Sequence, residues 1–254
     1  MSLPSMEQQR NFLKDDLRQQ IDFYLTDQNR GVRPSPLQRP PCPEQTVIEL
    51  PTADSRTAFT GTDLLAAIGQ RQSHRHYTDD PLTVAEVGLL LWATQGIRQT
   101  LNEGCALRTV PSAGCRHAFE SYLFISNVEG LDAGLYRYLP LQHALVCERL
   151  DDAFHHQLNA ATLNQQFVSQ APLTIVWSVI PYRMEWRYAQ AAHRVIAMDV
   201  GHVCQNLYLA CHALGAGTCA IAAYDQTKMD TLIGVDGEEE FTLYIAPVGK
   251  VAQP

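Results

Sequence analysis

Three short stretches, in this order along the chain, carry side chains that could do chemistry: Arg71-Gln72-Ser73-His74-Arg75, Pro111-Ser112-Ala113-Gly114 and Gly215-Ala216-Gly217-Thr218-Cys219. The first supplies cations and a hydroxyl. An extended segment points Arg71, Ser73 and Arg75 to one side. Two guanidinium groups with a hydroxyl between them suit a phosphate or the carbonyl-rich edge of a ring. The second stretch is a tight turn of small residues, preceded by Arg108 and followed by Glu120. The third continues to Ala222-Ala223-Tyr224-Asp225, where small side chains leave backbone N–H groups open to a flat partner. Together they suit an anionic, planar ligand. Taken singly, each has a plainer reading: an exposed basic loop, an ordinary turn, and close packing between elements.

Other polar groups carry less. Asp199, His202 and Asn206 share one helix face, where a buried, hydrogen-bonded histidine is preferred to a metal ligand. His155-His156 has no matching ligand pattern, so no metal is expected. Asp236–Glu240 reads as a solvated acidic turn. Ser112 lacks a nucleophile-elbow pattern, which argues against a hydrolase.

The 254 residues are 46% hydrophobic, enough for one large domain or one domain with an extension. The formal charge is -8, and no basic block is present, so nucleic acid is not an expected partner. The start has no basic and apolar signal pattern. Pro172–Pro181 is too short to span a bilayer, and 195–214 carries Asp199, His202, Gln205 and His212. A cytoplasmic protein is the expectation. Seven cysteines without a CxxC pair fit a reduced chain of mostly core thiols, Cys204 and Cys211 among them.

The elements that must position these residues follow from periodicity. Residues 6–25 read as a helix on Phe12, Leu13, Leu17, Ile21 and Tyr24. Pro34, Pro36, Pro40, Pro41 and Pro43 make 30–45 an extended arm, which wraps a neighbour or packs along its own domain. Residues 46–50 form a short strand before Pro51. A helix over 62–70 is capped by Gly61 or Thr62. Another opens at Thr83 with Glu86 three residues on, a capping box, and ends at Gly96. Strands are expected over 121–127, 135–138 and 144–149, the last two a hairpin around Pro140. Helix follows over 151–170, and Leu173–Ile180 is a buried central strand. A long helix over 189–214, apolar on most sides, ends at Gly215, and 241–248 is the last strand. The layout is α+β. The division is 1–60, a helix and proline-rich arm, and 61–254, the ligand-binding domain.

These stretches, with their neighbours, resemble the nitroreductase superfamily, and within it the SagB-type dehydrogenases. The family's Arg-Arg-Ser-x-Arg stretch is similar to residues 71–75, with Gln72 for the second Arg and His74 at a commonly apolar position. Leu90-Leu91-Trp92-Ala93-Thr94-Gln95-Gly96-Ile97 resembles its next helix. Arg108-Thr109-Val110-Pro111-Ser112-Ala113-Gly114 through Glu120, Gly134-Leu135-Tyr136-Arg137-Tyr138 and Asp199-Val200-Gly201-His202 through Gln205-Asn206-Leu207 follow in order. The resemblance runs from about Asp22 to Lys250.

It implies a nitroreductase-like fold, a central, mainly antiparallel sheet flanked by helices. It also implies an FMN-binding homodimer with active sites at the interface. Arg71, Gln72, Ser73 and Arg75 would hold FMN, with Lys250 adding charge near the phosphate. Pro111, Ser112, Ala113 and Gly114 would come from the other subunit, and the Ala222 and Ala223 backbone would face flavin N5. The implied activity is an FMN-dependent oxidoreductase taking hydride from NAD(P)H or an organic donor to a nitro, quinone or similar acceptor. Two alternatives are oxidation of a peptide azoline or other C–N bond with oxygen as acceptor, and a non-catalytic flavin-bearing scaffold in a peptide-modifying complex. Azoline-oxidising members carry a Lys-Tyr pair; here it is Arg187-Tyr188. Arg187 hardly deprotonates, while Tyr188 can donate a proton or orient a small-molecule or peptide substrate.

Overall fold

Serine 5 starts the first helix, α1 (Met6–Phe12), through a reciprocal capping box with Gln8. The computed structural model describes residues 3–51 and 62–252. The helix expected over 6–25 stops at Phe12 and gives way to 3₁₀ turns at Asp16–Gln20 and Phe23–Leu25. Its apolar stripe finds no partner: Phe12, Leu13, Leu17 and Tyr24 are all exposed. Without packing, a helix of this length is marginal, and Asp22 instead accepts the Tyr24 N–H in a local turn.

Residues 34–45 contain neither helix nor regular strand and lie along the chain's own sheet. Leu37 and Gln38 are buried there. Next come β1 (Val47–Glu49) and α2 (Leu64–Gln70). Asp63 caps α2, accepting from the Leu65 and Ala66 amides, which displaces Thr62; Gly61 lies outside the described residues. β2 (Leu82–Thr83) leads into α3 (Val84–Gln95), opened by the expected Thr83/Glu86 box and ended at Gly96. β3 (Ile97–Asn102) and β4 (Cys105–Arg108) form a separate hairpin. β5 (Phe119–Ile125), β6 (Val128–Glu129), β7 (Gly134–Leu139) and β8 (Ala144–Leu150) follow. Then come α4 (His155–Ala161), α5 (Gln166–Ser169), β9 (Leu173–Val179), α6 (Tyr182–Tyr188) and α7 (Ala192–Ala213). The chain closes with β10 (Ala216–Thr218), α8 (Gln226–Ile233) and β11 (Phe241–Lys250).

The main sheet has the order β1-β8-β7-β5-β9-β11-β10, and every pairing in it is antiparallel. Alternation along β5 and β9 sorts side chains between two cores. Leu123, Ile125, Ile175 and Trp177 meet α3 and α7, while Phe124 and Val176 meet α4 and α8. Both faces of the central strands are covered, so β9 is buried without a break.

Two expectations about α7 are corrected. It begins at Ala192, because Ala189 adopts φ 46° and separates it from α6. It is also buried on one side only. Ile196, Asp199, Val203, Cys204 and Leu207 face the core, whereas Ala197, Met198, Gly201, His202 and Gln205 are exposed. His202 therefore stands on the open face and is not a buried core histidine. The acidic turn is corrected at its last residue: Glu240 is buried, accepting from Ser178 Oγ at 2.6 Å and Tyr122 OH at 3.1 Å. The thiols are less uniformly interior than expected. Cys204, Cys211 and Cys219 are buried, Cys42 is exposed, and Cys105, Cys115 and Cys147 are half-buried. No helix among the described residues is long and apolar enough to cross a membrane.

Candidate functional site

Beyond α2 the chain runs beside β10. Ser73 bridges Thr218 in parallel, and the His74 N–H donates to the Thr218 carbonyl at 2.9 Å. Gly217 permits this approach, since a Cβ there would lie 2.6 Å from His74 Cβ. The Arg71 guanidinium lies 5.3 Å from the Tyr208 ring centroid and that of Arg75 5.8 Å from the Phe167 centroid. Neither arginine has an ion-pair partner among the described residues, and Gln72 is exposed beside them. Tyr208 joins the parts. Its hydroxyl meets Ser73 Oγ at 3.0 Å and accepts the Ala220 N–H at 2.9 Å. Ile221 then pairs with Ile245 on β11, and Ala222 and Ala223 emerge exposed. Gln165 Nε2 holds the Ala223 carbonyl at 2.8 Å, while the Ala222 and Ala223 N–H groups bond to nothing among the described residues. Below them the buried Thr218 hydroxyl also lacks a partner. The result is two unmatched guanidinium groups, a hydroxyl and two free amides at one sheet edge, a donor set without acceptors.

The Pro111–Gly114 turn is built on the other end of α7. Asp199 Oδ2 accepts from Ser112 Oγ at 2.6 Å and from the Ala113 N–H at 3.2 Å. Burial pushes the Asp199 carboxyl up, and these two hydrogen bonds oppose the rise. Gly114 has φ 59°; a Cβ on it would sit 2.7 Å from the Tyr188 hydroxyl and 2.8 Å from Arg187 Nε. Arg187 and Tyr188 thus pack directly against the turn, with the guanidinium 5.5 Å from the Tyr188 ring centroid.

One helix anchors both groups on opposite sides. Asp199 and Tyr208 are nine residues apart, about 14 Å along α7 and about half a turn round it. Arg71, Gln72, Ser73, Arg75, Ala222 and Ala223 are brought together. Pro111, Ser112, Ala113 and Gly114 join Arg187 and Tyr188 in a second group.

Three charged residues near the motifs have structural employment. Arg108 is buried, donating to Gln95 Oε1 at 2.6 Å and to the Leu37 carbonyl at 2.7 Å; burial lowers its pKa to about 10. Glu120 accepts from Arg183 at 2.5 Å and from the Arg39 N–H at 2.8 Å, with Arg137 3.7 Å away. Both hold the proline-rich segment onto the sheet. Lys250 pairs with Glu86 and donates to the Leu214 carbonyl, so its charge is already matched. Sequence reasoning missed Tyr208. A tyrosine inside the apolar stretch Leu207–Cys211 needs a partner for its hydroxyl, and that was the available signal. A cavity of about 530 Å³ lies elsewhere, lined by Arg149, Gln157, Ala160, Lys228 and Leu232, and holds none of the free donors.

Comparison with known proteins gives this arrangement a context. The sequence profile of the nitroreductase family matches residues 68–250. A Methanocaldococcus jannaschii protein named as a nitroreductase is 33% identical over 181 residues, covering 71% of this chain and 87% of its own. A Ralstonia eutropha structure described as a nitroreductase superposes with a TM-score of 0.68 at 28% identity, over 87% of this chain and 96% of that one. A chain of the Escherichia coli microcin synthetase McbBCD complex, solved with truncated pro-MccB17 bound, shares the fold at 17% identity. Its TM-score is 0.59, and the match covers 99% of both chains. With the family profile matching residues 68–250, which hold both residue groups and α7, and a relative 33% identical over 181 residues, the chain belongs to the nitroreductase family.

Proposed function

We propose that the protein is an FMN-dependent oxidoreductase of the SagB type, carrying hydride from NAD(P)H or an organic donor to a nitro, quinone or similar acceptor. The observation that carries this reading is the acceptor-free donor set: Arg71, Ser73 and Arg75 beside the free Ala222 and Ala223 amides. These residues fit FMN. The guanidinium groups and hydroxyl match its phosphate and ribityl oxygens, the amides match a flat ring edge, and Gly217 keeps the backbone close. Bound there, the flavin supplies two-electron hydride chemistry.

The protein's part is to bind and orient. Arg71 and Arg75 would neutralise the phosphate, and Tyr208 keeps Ser73 and Ala220 in register with each other. A homodimer is part of the proposal, because α7 holds the Pro111–Gly114 turn on its opposite side. A second copy would bring its own turn, with Arg187 and Tyr188, over the first copy's donors. Tyr188 can donate a proton or orient the acceptor; an arginine at position 187 supplies no base. That favours acceptor reduction over azoline oxidation. The second reading, oxidation of a peptide azoline with oxygen as acceptor, draws on the fold match to the microcin synthetase chain, which extends through the N-terminal segment.

The test begins with the visible spectrum of the purified protein and the mass of any released chromophore. NAD(P)H oxidation is then followed with and without a nitro or quinone acceptor. FMN and acceptor-dependent oxidation are expected. A protein that neither carries nor binds FMN would overturn the proposal, and flavin without NAD(P)H oxidation would turn it to the second reading.

A further inference from the structure

Three of the seven cysteines are half-buried, and two of these, Cys105 and Cys115, lie on neighbouring pieces of chain, β4 and the turn packed against it. Cys105 is the first residue of β4, and Cys115 follows the Gly114 turn. The Cys105 thiol lies 3.7 Å from the Gly114 carbonyl oxygen, which belongs to the peptide that leads into Cys115. Burial, and then the neighbouring Cys115, push the Cys105 thiol up, and Arg116 and Arg187 oppose the rise. Cys115 also holds φ 56°, a conformation few non-glycine residues adopt. Neither thiol has a place in the proposed oxidoreductase mechanism.

We propose that Cys105 and Cys115 form a peroxide-oxidisable dithiol whose disulfide pins the Pro111–Gly114 turn to β4. One thiol, as its thiolate, attacks a peroxide oxygen. The O–O bond breaks, an S–O bond forms, and water leaves once the hydroxide takes up a proton. The second thiol then attacks that sulfur; the S–S bond forms, the S–O bond breaks and a second water leaves. Two thiols and one hydrogen peroxide give one disulfide and two waters. A dithiol reductant restores the pair by exchange. Because Arg187 and Tyr188 pack on Gly114, the cross-link fixes the surface they rest on.

The sequence makes the test direct. Trypsin cuts after Arg98, Arg108 and Arg116, placing Cys105 and Cys115 in separate peptides, 99–108 and 109–116. The full-length protein is treated with about one equivalent of hydrogen peroxide, remaining thiols are blocked with iodoacetamide, and the digest is read by mass. The expected result is a linked 99–108/109–116 pair, lost on dithiothreitol treatment and absent in Cys115→Ser. Slower amide exchange across 112–117 in the oxidised protein is also expected. Recovery of the two peptides unlinked, as alkylated thiols or as sulfinic acids, would overturn the dithiol. Formation of the link with unchanged exchange would overturn the pinning of the turn. Neither readout depends on a bound flavin.

Discussion

Acidification weakens this protein through His117, the single buried histidine among the described residues. His117 is 3% exposed, its ring meets the Ala106 carbonyl at 2.9 Å, and its N–H donates to Ser112 Oγ at 3.0 Å. Burial, and then repulsion from Arg108, Arg183 and Arg116, lowers its pKa from 6.5 to about 3, against the pull of the Ala106 carbonyl. The folded state keeps the ring neutral, while the unfolded chain takes up a proton below about 6.5. The stabilisation is therefore complete above that pH and is lost as pH falls toward 3. The slope is about 1.4 kcal/mol per pH unit, with a ceiling of roughly 5 kcal/mol. Near pH 5 the expected loss is about 2 kcal/mol, a large share of an ordinary domain's ~5–15 kcal/mol. His117→Gln keeps an N–H for Ala106 and removes the titration. Urea unfolding of both proteins between about pH 4.5 and 7.5, at one protein concentration, isolates the effect. Asp199 and Glu240, raised by burial, contribute with the opposite sign in both proteins and cancel in the comparison. Parallel stability–pH curves for wild type and variant would refute the reasoning.

Arg71→Ala removes a charge-assisted contact worth about 1.5–3 kcal/mol, so FMN affinity should fall roughly tenfold to a hundredfold in a fluorescence titration. Tyr208→Phe keeps the ring beneath Arg71 but frees Ser73 and Ala220. At about 1 kcal/mol per bond, several-fold weaker FMN binding and a shifted flavin potential are expected, with little change in melting temperature. Glu120→Ala leaves the Arg183 guanidinium buried without its carboxylate, a loss of about 3–5 kcal/mol, while Arg137 keeps Glu148 at 2.7 Å; limited proteolysis should then cut within residues 34–45 before the sheet is attacked.

What the sequence reveals depends on how local the cause is. The Thr83/Glu86 box and the unbroken Leu173–Val179 strand are written in adjacent residues, and both stand where periodicity puts them. Helix 6–25 fails because its stripe has nothing to pack on, a fact of tertiary structure. The split at Ala189 rests on one left-handed residue of a type that gives no warning. The site divides in the same way. Arg71, Ser73 and Arg75 are legible from residue type and spacing, and lie together with Ala222 and Ala223. Arg108 and Glu120 are equally charged and equally near the motifs, yet they are spent on the proline-rich segment. Only the folded contacts separate a free guanidinium from an occupied one. Tyr208 organises the donor set from far along the chain, so no sequence window contains both.

The proline-rich segment also bears on the order of assembly. Arg39 reaches Glu120 across 81 residues, and Glu120 in turn grips Arg183, still further on. The buried charges of the sheet cannot leave water at low cost until Leu37 and Arg39 lie over them. Residues 34–45 leave the ribosome before β5 and α6 and therefore wait, undocked, for them to arrive. A segment made before the sheet it covers completes the fold late, and its docking gates the closing of the polar core.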